Sequence, residues 1–417
     1  MMEKQTKIGT VCSDFDTFQL KSVLVKNDTG DWGSEPDKDA IGVIRSTNFN
    51  NDGKLNLSDI AYRTLSKRKF EEKKLYASDI LIERSGGSET QPVGRVGFIT
   101  DEMAQTDYAF ANFIQRISLN DEVNAKFVYY CLQQMYEMGI TAGMQSQTTG
   151  IRNLDWKQYI KVALPKPSPD EQSAIAAILS KVDEAIAAVQ ASIAAAERLK
   201  KSLMQNLLTG RMKPDGTLRT EEEFYLDEKF GRVPKGWEVK KVKECFKFKN
   251  GKGNTTCNLK ENPDEEYCIP VFGGNGITGY YHSALLIEPT IVIGRVGEYC
   301  GNVFKTPEKS WVTDNAMLVS EVLMKEYDID FFTLKLNSLN FKQFSDSTGQ
   351  PKITQGSIGS VLFSYPSNVD EQRGIMSLIG RISNKIQQKQ NKIAVLERLK
   401  KSLMQNLLTG RVRVTKK

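Results

Sequence analysis

Residues Glu197 to Arg211 read ERLKKSLMQNLLTGR, and residues Glu397 to Arg411 read ERLKKSLMQNLLTGR again, 200 positions later. A helix needs only its packing face kept, yet the identity extends to the polar residues Lys200, Lys201, Gln205 and Asn206 and their copies Lys400, Lys401, Gln405 and Asn406. Two equal docking surfaces would account for it. Exchange between repeated DNA segments would also keep the copies alike.

The repeat is longer than its identical core. Asp170-Glu171-Gln172 recurs as Asp370-Glu371-Gln372, and the copies then run without a gap. Apolar residues follow at alternating three- and four-residue steps: Ile175, Leu179, Val182, Ile186, Val189, Ile193, Ala196, then Leu203 and Leu207. The second copy has Ile375, Ile379, Ile382, Ile386, Lys389, Ile393, Leu396, Leu403 and Leu407. This pattern predicts two long helices of coiled-coil type. Gly374 and Gly380 are expected to weaken the first turns of the second. Ser168 or Asp170 caps the first, and Thr209-Gly210 and Thr409-Gly410 are glycine stops. Residues 170 to 208 would make a rod of roughly 58 Å. A rod with one apolar stripe needs a partner, and the obvious partner for one copy is the other.

The helices divide the 417 residues into blocks at 1–168 and 212–368, with helical segments at 169–211 and 369–411 and a tail at 412–417. Such a length suits two to four domains. The 40% hydrophobic and 26% charged content is ordinary for a globular protein. No apolar run approaches a membrane span and the start, MMEKQTKIGT, lacks a signal-peptide core, so the cytoplasm is expected. Six cysteines without C-x-x-C spacing and a single histidine, His282, argue against zinc and for reduced thiols. Net charge is +6, unevenly spread: residues 1–160 carry 19 Lys and Arg against 22 Asp and Glu, and residues 212–417 carry 31 against 24. A nonspecific nucleic-acid binder would be basic throughout.

Both blocks read as mixed α/β, with strands and helices in irregular order. Block one offers strands at Phe18–Val25, Asp79–Glu83, Val93–Ile99 and Ile160–Leu164 and an apolar strand running into a polar tip over Ile41 to Asn50, with a polar turn region from Asn27 to Asp39, a helix near Val123–Tyr136 and a polar loop from Gln145 to Arg152. Block two repeats that order. An opening linker, 212–236, leads to a strand at Trp237; then come Ile269 to Gly276, Thr290 to Gly297, Trp311 to Val319, a helix near Asp328–Leu336, a polar loop from Ser345 to Thr354 and a strand ending at Pro366.

With a globular block, a helix starting P-x-x-DEQ or V-DEQ, and then the same again, the chain resembles the specificity subunit of type I restriction-modification systems. The likeness also rests on the two Leu-Leu-Thr-Gly ends, on GWEVKKV at Gly236 to Val242, and on the TIVIGRVG and TDNA segments. It implies that the blocks are target recognition domains and that the helices pair as an antiparallel coiled coil about a pseudo-twofold. It further implies a subunit without catalytic activity that positions two adenine-methyltransferase subunits and, through them, endonuclease/translocase subunits. S-adenosylmethionine, ATP and Mg2+ would be used by those partners. Block one departs from the pattern in having no G-W opening, which leaves the start of its recognition domain open.

Bases in double-stranded DNA are read at their edges by Arg, Lys, Asn, Gln, Ser and Thr, and phosphate contacts hold register. The candidates in block one are therefore Arg45, Thr47, Asn48 and Asn50; Arg84, Ser85 and Gly87; and Gln145, Thr149 and Arg152. Block two offers Asn275 with Tyr280, Arg295, and Thr348, Gln350 and Lys352. Lys247 and Lys249 alternate with Phe246 and Phe248, which places the lysines on the opposite face, where phosphate contact and a solvated strand are the two readings.

No phosphate loop G-x-x-x-x-G-K-[ST] occurs, and Asn262-Pro263-Asp264-Glu265 lacks the second proline and aromatic of the adenine-methyltransferase motif. Two other classes stay open. A protein-only scaffold would explain the helices but not the polar-tipped blocks, and an autonomous DNA-modifying enzyme would need motifs that the chain lacks.

Overall fold

The Ile- and Val-rich segments form the central strands of two sheets with one strand order. The computed structural model describes residues 4–88, 91–148, 151–253, 259–346 and 350–414. The chain forms two compact units, Met1–Gln190 with Asn391–Lys417, and Ala191–Gln390. Each therefore contains the beginning of one long helix and the end of the other.

In unit one an antiparallel sheet runs Leu24–Thr29, Ile114–Leu119, Ile80–Glu83, Val96–Phe98. A second sheet sets Ile41–Ile44 between Tyr108–Phe110, parallel, and Ala61–Arg63, antiparallel. Unit two repeats both: Phe246–Asn250, Ala316–Val322, Ile291–Gly294, Val303–Lys305, and Ile269–Gly273 between Trp311–Val312, parallel, and Gly276–Tyr281, antiparallel. Ile80, Leu81 and Ile82, like Ile291, Val292 and Ile293, are fully buried because both sheet faces are covered.

A short helix packs on each sheet system, Ala125–Glu137 capped by Asn124 and Ile329–Ser338 capped by Asp328. The long helices are Pro169–Leu208 and Val369–Leu407. The second runs unbroken through Gly374 and Gly380. Ser168, not Asp170, caps the first, its Oγ accepting from the Glu171 N–H at 3.3 Å.

Several expected elements are redrawn. Phe18–Val25 is not one strand: Asp16–Gln19 gives way to a 3-10 turn, Leu20–Val23, whose buried Leu20 and Val23 lie three apart, and the next strand runs to Thr29, into the expected turn region. The polar stretch from Gln145 is a hairpin, Gln145–Thr148 with Ile151–Leu154, built from residues without apolar alternation. The closing strand lies at Ala163–Lys166, and Trp311 to Val319 is broken by a turn. Cys131, Cys245 and Cys300 are buried free thiols, Cys12 is half-buried and Cys268 exposed.

Candidate nucleic-acid interface

The ends of the long helices are built alike in the two units. Gln172 Oε1 accepts from the Asn124 N–H at 2.8 Å and its Nε2 donates to Pro167 O at 2.9 Å. Gln372 makes the same pair of bonds, from the Asp328 N–H at 2.8 Å and to Pro366 O at 2.9 Å. Both glutamines are fully buried, so the repeated Gln ties each long helix to the cap of its neighbouring short helix. The preceding glutamates hold arginines beyond the other helix's end: Glu171 binds Arg413 at 2.9 and 2.8 Å, and Glu371 binds Arg219 at 2.5 Å and Trp237 Nε1 at 2.9 Å. Salt-bridged Glu171 has its carboxyl held below the usual range, chiefly by Arg413.

Gly210 and Gly410 both have φ of +71°. A Cβ at Gly210 would lie 2.3 Å from Pro234 and 3.1 Å from the Trp237 ring, and one at Gly410 would lie 2.6 Å from Cys12 Sγ and 2.9 Å from the Phe15 ring. Only glycine fits either constraint. Arg413 stacks over Phe15 at 4.9 Å, much as Arg219 faces Trp237 at 5.8 Å. Phe15 thus takes the place of the tryptophan that block one lacks.

The identical segments are not identical in surroundings. Lys201, Gln205, Lys401 and Gln405 are exposed, and Asn206 and Asn406 are half-buried. Lys400 is buried, its Nζ 2.7 Å from Asp183 and 5.8 Å from the Tyr130 ring. That corrects the expectation of a free surface lysine, because a desolvated ammonium needs its carboxylate. Lys200 instead lines an open cavity of about 470 Å³ with Glu197, Lys201, Met204, Ser383 and Gln387. Leu199 and Leu399, 54% and 45% exposed, present an apolar side chain at the same place in each copy. Both lie off the heptad stripe, so periodicity gives no signal for them.

The candidate base-reading residues divide. In unit one the turn after Ile41–Ile44 meets the segment after Ile80–Glu83: Ser46 Oγ donates to Ser85 O at 3.4 Å, and Ser85 Oγ donates to Asn153 at 2.6 Å. Thr47 and Asn50 are exposed there, and half-buried Gly87 lies in the strand paired with Arg152. Arg45 is bound to Asp59 at 3.0 Å and Arg84 to Gln115 at 3.2 Å. Asn48 is 1% exposed, accepting from the Arg45 N–H and donating to Asn56 O and Asp59 O. Its amide is consumed by the turn, which corrects its assignment as a base reader. Gln145 donates to Thr141 O at 3.3 Å beside the hairpin's start. Thr149 lies outside the described residues.

In unit two the loops converge in the same way. The Arg295 N–H donates to Asn315 O at 2.9 Å, Ile353 N–H donates to Arg295 O at 2.9 Å, and Gly297 N–H donates to Pro351 O at 2.9 Å. Arg295 Nη1 reaches Asp314 O at 3.0 Å. Asn275, Gln350 and Lys352 are exposed near these segments, whereas Tyr280 is half-buried in a bridge to Lys260. Thr348 lies outside the described residues. Lys247 and Lys249 are exposed while Phe246 is buried; Lys247 is paired with Glu321 at 2.8 Å. Among the described residues no group of three potential metal ligands comes together, and no helix is long and apolar enough to cross a membrane.

The sequence model for the type I restriction modification DNA specificity domain matches residues 12–198 and 234–398, one copy for each block and its helix. The chain belongs to this family. It is a type I specificity subunit, and its relatives carry that description. The chain is 25% identical to the EcoprrI specificity subunit of Escherichia coli, over 69% of this chain and 67% of the relative. With the MjaVIII specificity subunit of Methanocaldococcus jannaschii it shares 25% identity over 81% and 80%. The specificity subunit's fold is similar to that of a type I S subunit from M. genitalium, with TM-score 0.55 over 97% of this chain and 99% of that one at 18% identity. A chain solved in work on assembly and conformational transition of the type I system gives TM-score 0.57 over 96% and 99% at 11% identity.

Proposed function

We propose that this specificity subunit reads a bipartite, asymmetric double-stranded DNA target, one half-site at the loop tips of each unit, and carries two adenine-methyltransferase subunits on its helix ends. One observation carries the reading. Two sheet systems of one order end in tips with unlike side chains, while the helix ends that follow are identical in sequence. Unlike tips suit unlike half-sites, and identical helix ends suit identical partners.

In this reading residues 1–168 and 212–368 are the recognition domains, and the two long helices pair antiparallel about a pseudo-twofold as the spacer. Its support is internal to each unit: Ile175 and Leu179 share a core with Met404, Leu407 and Leu408, and Ile375 and Ile379 share one with Leu207 and Leu208. A 40-residue helix spans about 60 Å, long enough to hold half-sites roughly one DNA turn apart, about 34 to 36 Å. The methyltransferases dock around Leu199, Lys201 and Gln205 and their copies, and endonuclease/translocase subunits join through them. The subunit performs no catalysis itself; its partners use S-adenosylmethionine, ATP and Mg2+, and the complex works in the cytoplasm. Methylome sequencing of cells carrying this chain with its methyltransferase tests the reading. A bipartite motif with adenine methylated on both strands is expected, and the absence of any motif with both proteins expressed would overturn it.

A further inference from the structure

One β-turn occurs at the same place in each unit. The Ile114 N–H donates to Ala111 O at 2.9 Å, placing Asn112 and Phe113 at its corners, and the Ala316 N–H donates to Thr313 O at 3.1 Å, placing Asp314 and Asn315 there. The same backbone clamps hold both. Arg84 N–H to Phe113 O at 2.8 Å matches Arg295 N–H to Asn315 O at 2.9 Å. Gly30 N–H to Ile114 O at 3.2 Å matches Gly251 N–H to Ala316 O at 3.0 Å, and Asp31 N–H to Phe110 O at 2.8 Å matches Lys252 N–H to Val312 O at 2.9 Å. The clamping strand rides so close that a Cβ at Gly30 would fall 1.9 Å from Phe110 O, and one at Gly251 would fall 2.2 Å from Thr313 O.

This rigid frame presents side chains that do nothing for the fold. Phe113 is 45% exposed and belongs to none of the apolar clusters among the described residues. Asn112, Asp314 and Asn315 are exposed, and among the described residues none has a side-chain hydrogen bond or ion pair. Asn112 and Phe113 line a cleft of about 450 Å³ with Trp32, Arg45, Ser46 and Thr47, which sets them beside the tip residues already considered. The backbone is common to the two units and the corner residues differ, as a holder for different base readers requires.

We propose that these turns are base-reading elements, with Asn112 and Phe113 recognising A·T sequence in the first half-site and Asp314 and Asn315 reading the second. An asparagine amide matches the N6 and N7 groups of adenine, an aromatic ring meets the thymine methyl, and a carboxylate accepts from cytosine N4. The inference rests on the proposed DNA-reading function and adds the residues and bases to it.

The test is methylome sequencing with wild-type chain, Asn112→Ala, Phe113→Ala, Asp314→Ala, and the exchange Asn112→Asp with Phe113→Asn, each with its methyltransferase. The first two variants should relax an A·T position in one half-site by roughly tenfold to a hundredfold, leaving the other half-site and the spacer unchanged. Asp314→Ala should relax the opposite half-site, and the exchange should move the first half-site towards the base preference of the second. Residual methylation on an unchanged motif, in alanine variants and exchange alike, would overturn the inference. A wild-type chain with no bipartite motif would instead overturn the DNA-reading function itself.

Discussion

Lys400 Nζ lies 2.7 Å from Asp183, whereas its repeat counterpart Lys200 has Ser383 at the position of that acid. Identical segments thus sit against different neighbours. Removing the Asp183 carboxylate leaves a buried ammonium uncompensated, so Asp183→Ala should cost roughly 3 kcal/mol. Ser383→Ala should change stability by less than about 0.5 kcal/mol. Urea unfolding of the full chain separates the two; equal effects would show that the buried pair contributes nothing.

Gln172 and Gln372 each satisfy one half-buried N–H and one buried carbonyl. Gln372→Ala strands both groups, at about 1 to 3 kcal/mol each. Gln172→Ala should cost the same, since the bonds are the same. Thermal unfolding midpoints of the two variants are therefore expected to fall together, and a fall in only one would break the equivalence.

Burial pushes the Lys335 ammonium down to about 7 from the ordinary 10.5, and its Nζ donates to Leu208 O at 2.5 Å at the end of the first long helix. Between those values the unfolded chain binds the proton and the native chain does not, so stability rises with pH from about 7 towards 10.5. Lys335→Met has no group there to titrate. The wild-type urea midpoint, measured against the variant's, should climb across this window; a constant difference would refute the burial effect.

Lys249 is exposed, and Lys247 is held by Glu321. Lys249→Ala should weaken binding of the assembled complex to all DNA sequences alike, and lower the salt slope by about 0.9 for the single phosphate lost. Lys247→Ala should do less. A changed sequence preference in salt-dependent binding curves would remove the phosphate assignment.

Leu199 and Leu399 present matching exposed side chains beside Lys201 and Lys401. Leu199→Asp with Lys201→Glu should remove one methyltransferase, and the same changes at Leu399 and Lys401 the other. Mass measurement of the purified complex reads the stoichiometry, with unfolding midpoints expected to stay unchanged. Full assembly of the fourfold variant would sink the docking surface.

Periodicity carried the long helices, because a heptad stripe is local and survives without knowledge of the partner. Glycine after Leu-Leu-Thr carried their ends for the same reason. Polarity was the weaker guide: Asn48 looked like a reader and is a turn's internal brace, and the stretch from Gln145 looked like a loop and is a hairpin. The equivalence of Phe15 to Trp237 leaves no local signal, because its role is to cover Gly410, nearly 400 residues away.

The amino-acid sequence by itself determined the duplication, the two helices, the mixed α/β blocks and the family, since these rest on spacing and short motifs. The tertiary structure decided which polar residues remain free. Burial, ion pairing and backbone clamping depend on contacts distant in sequence: Asp183 takes Lys400 out of the surface, and Gly30 and Gly251 hold in place the turns that present Asn112 and Asp314.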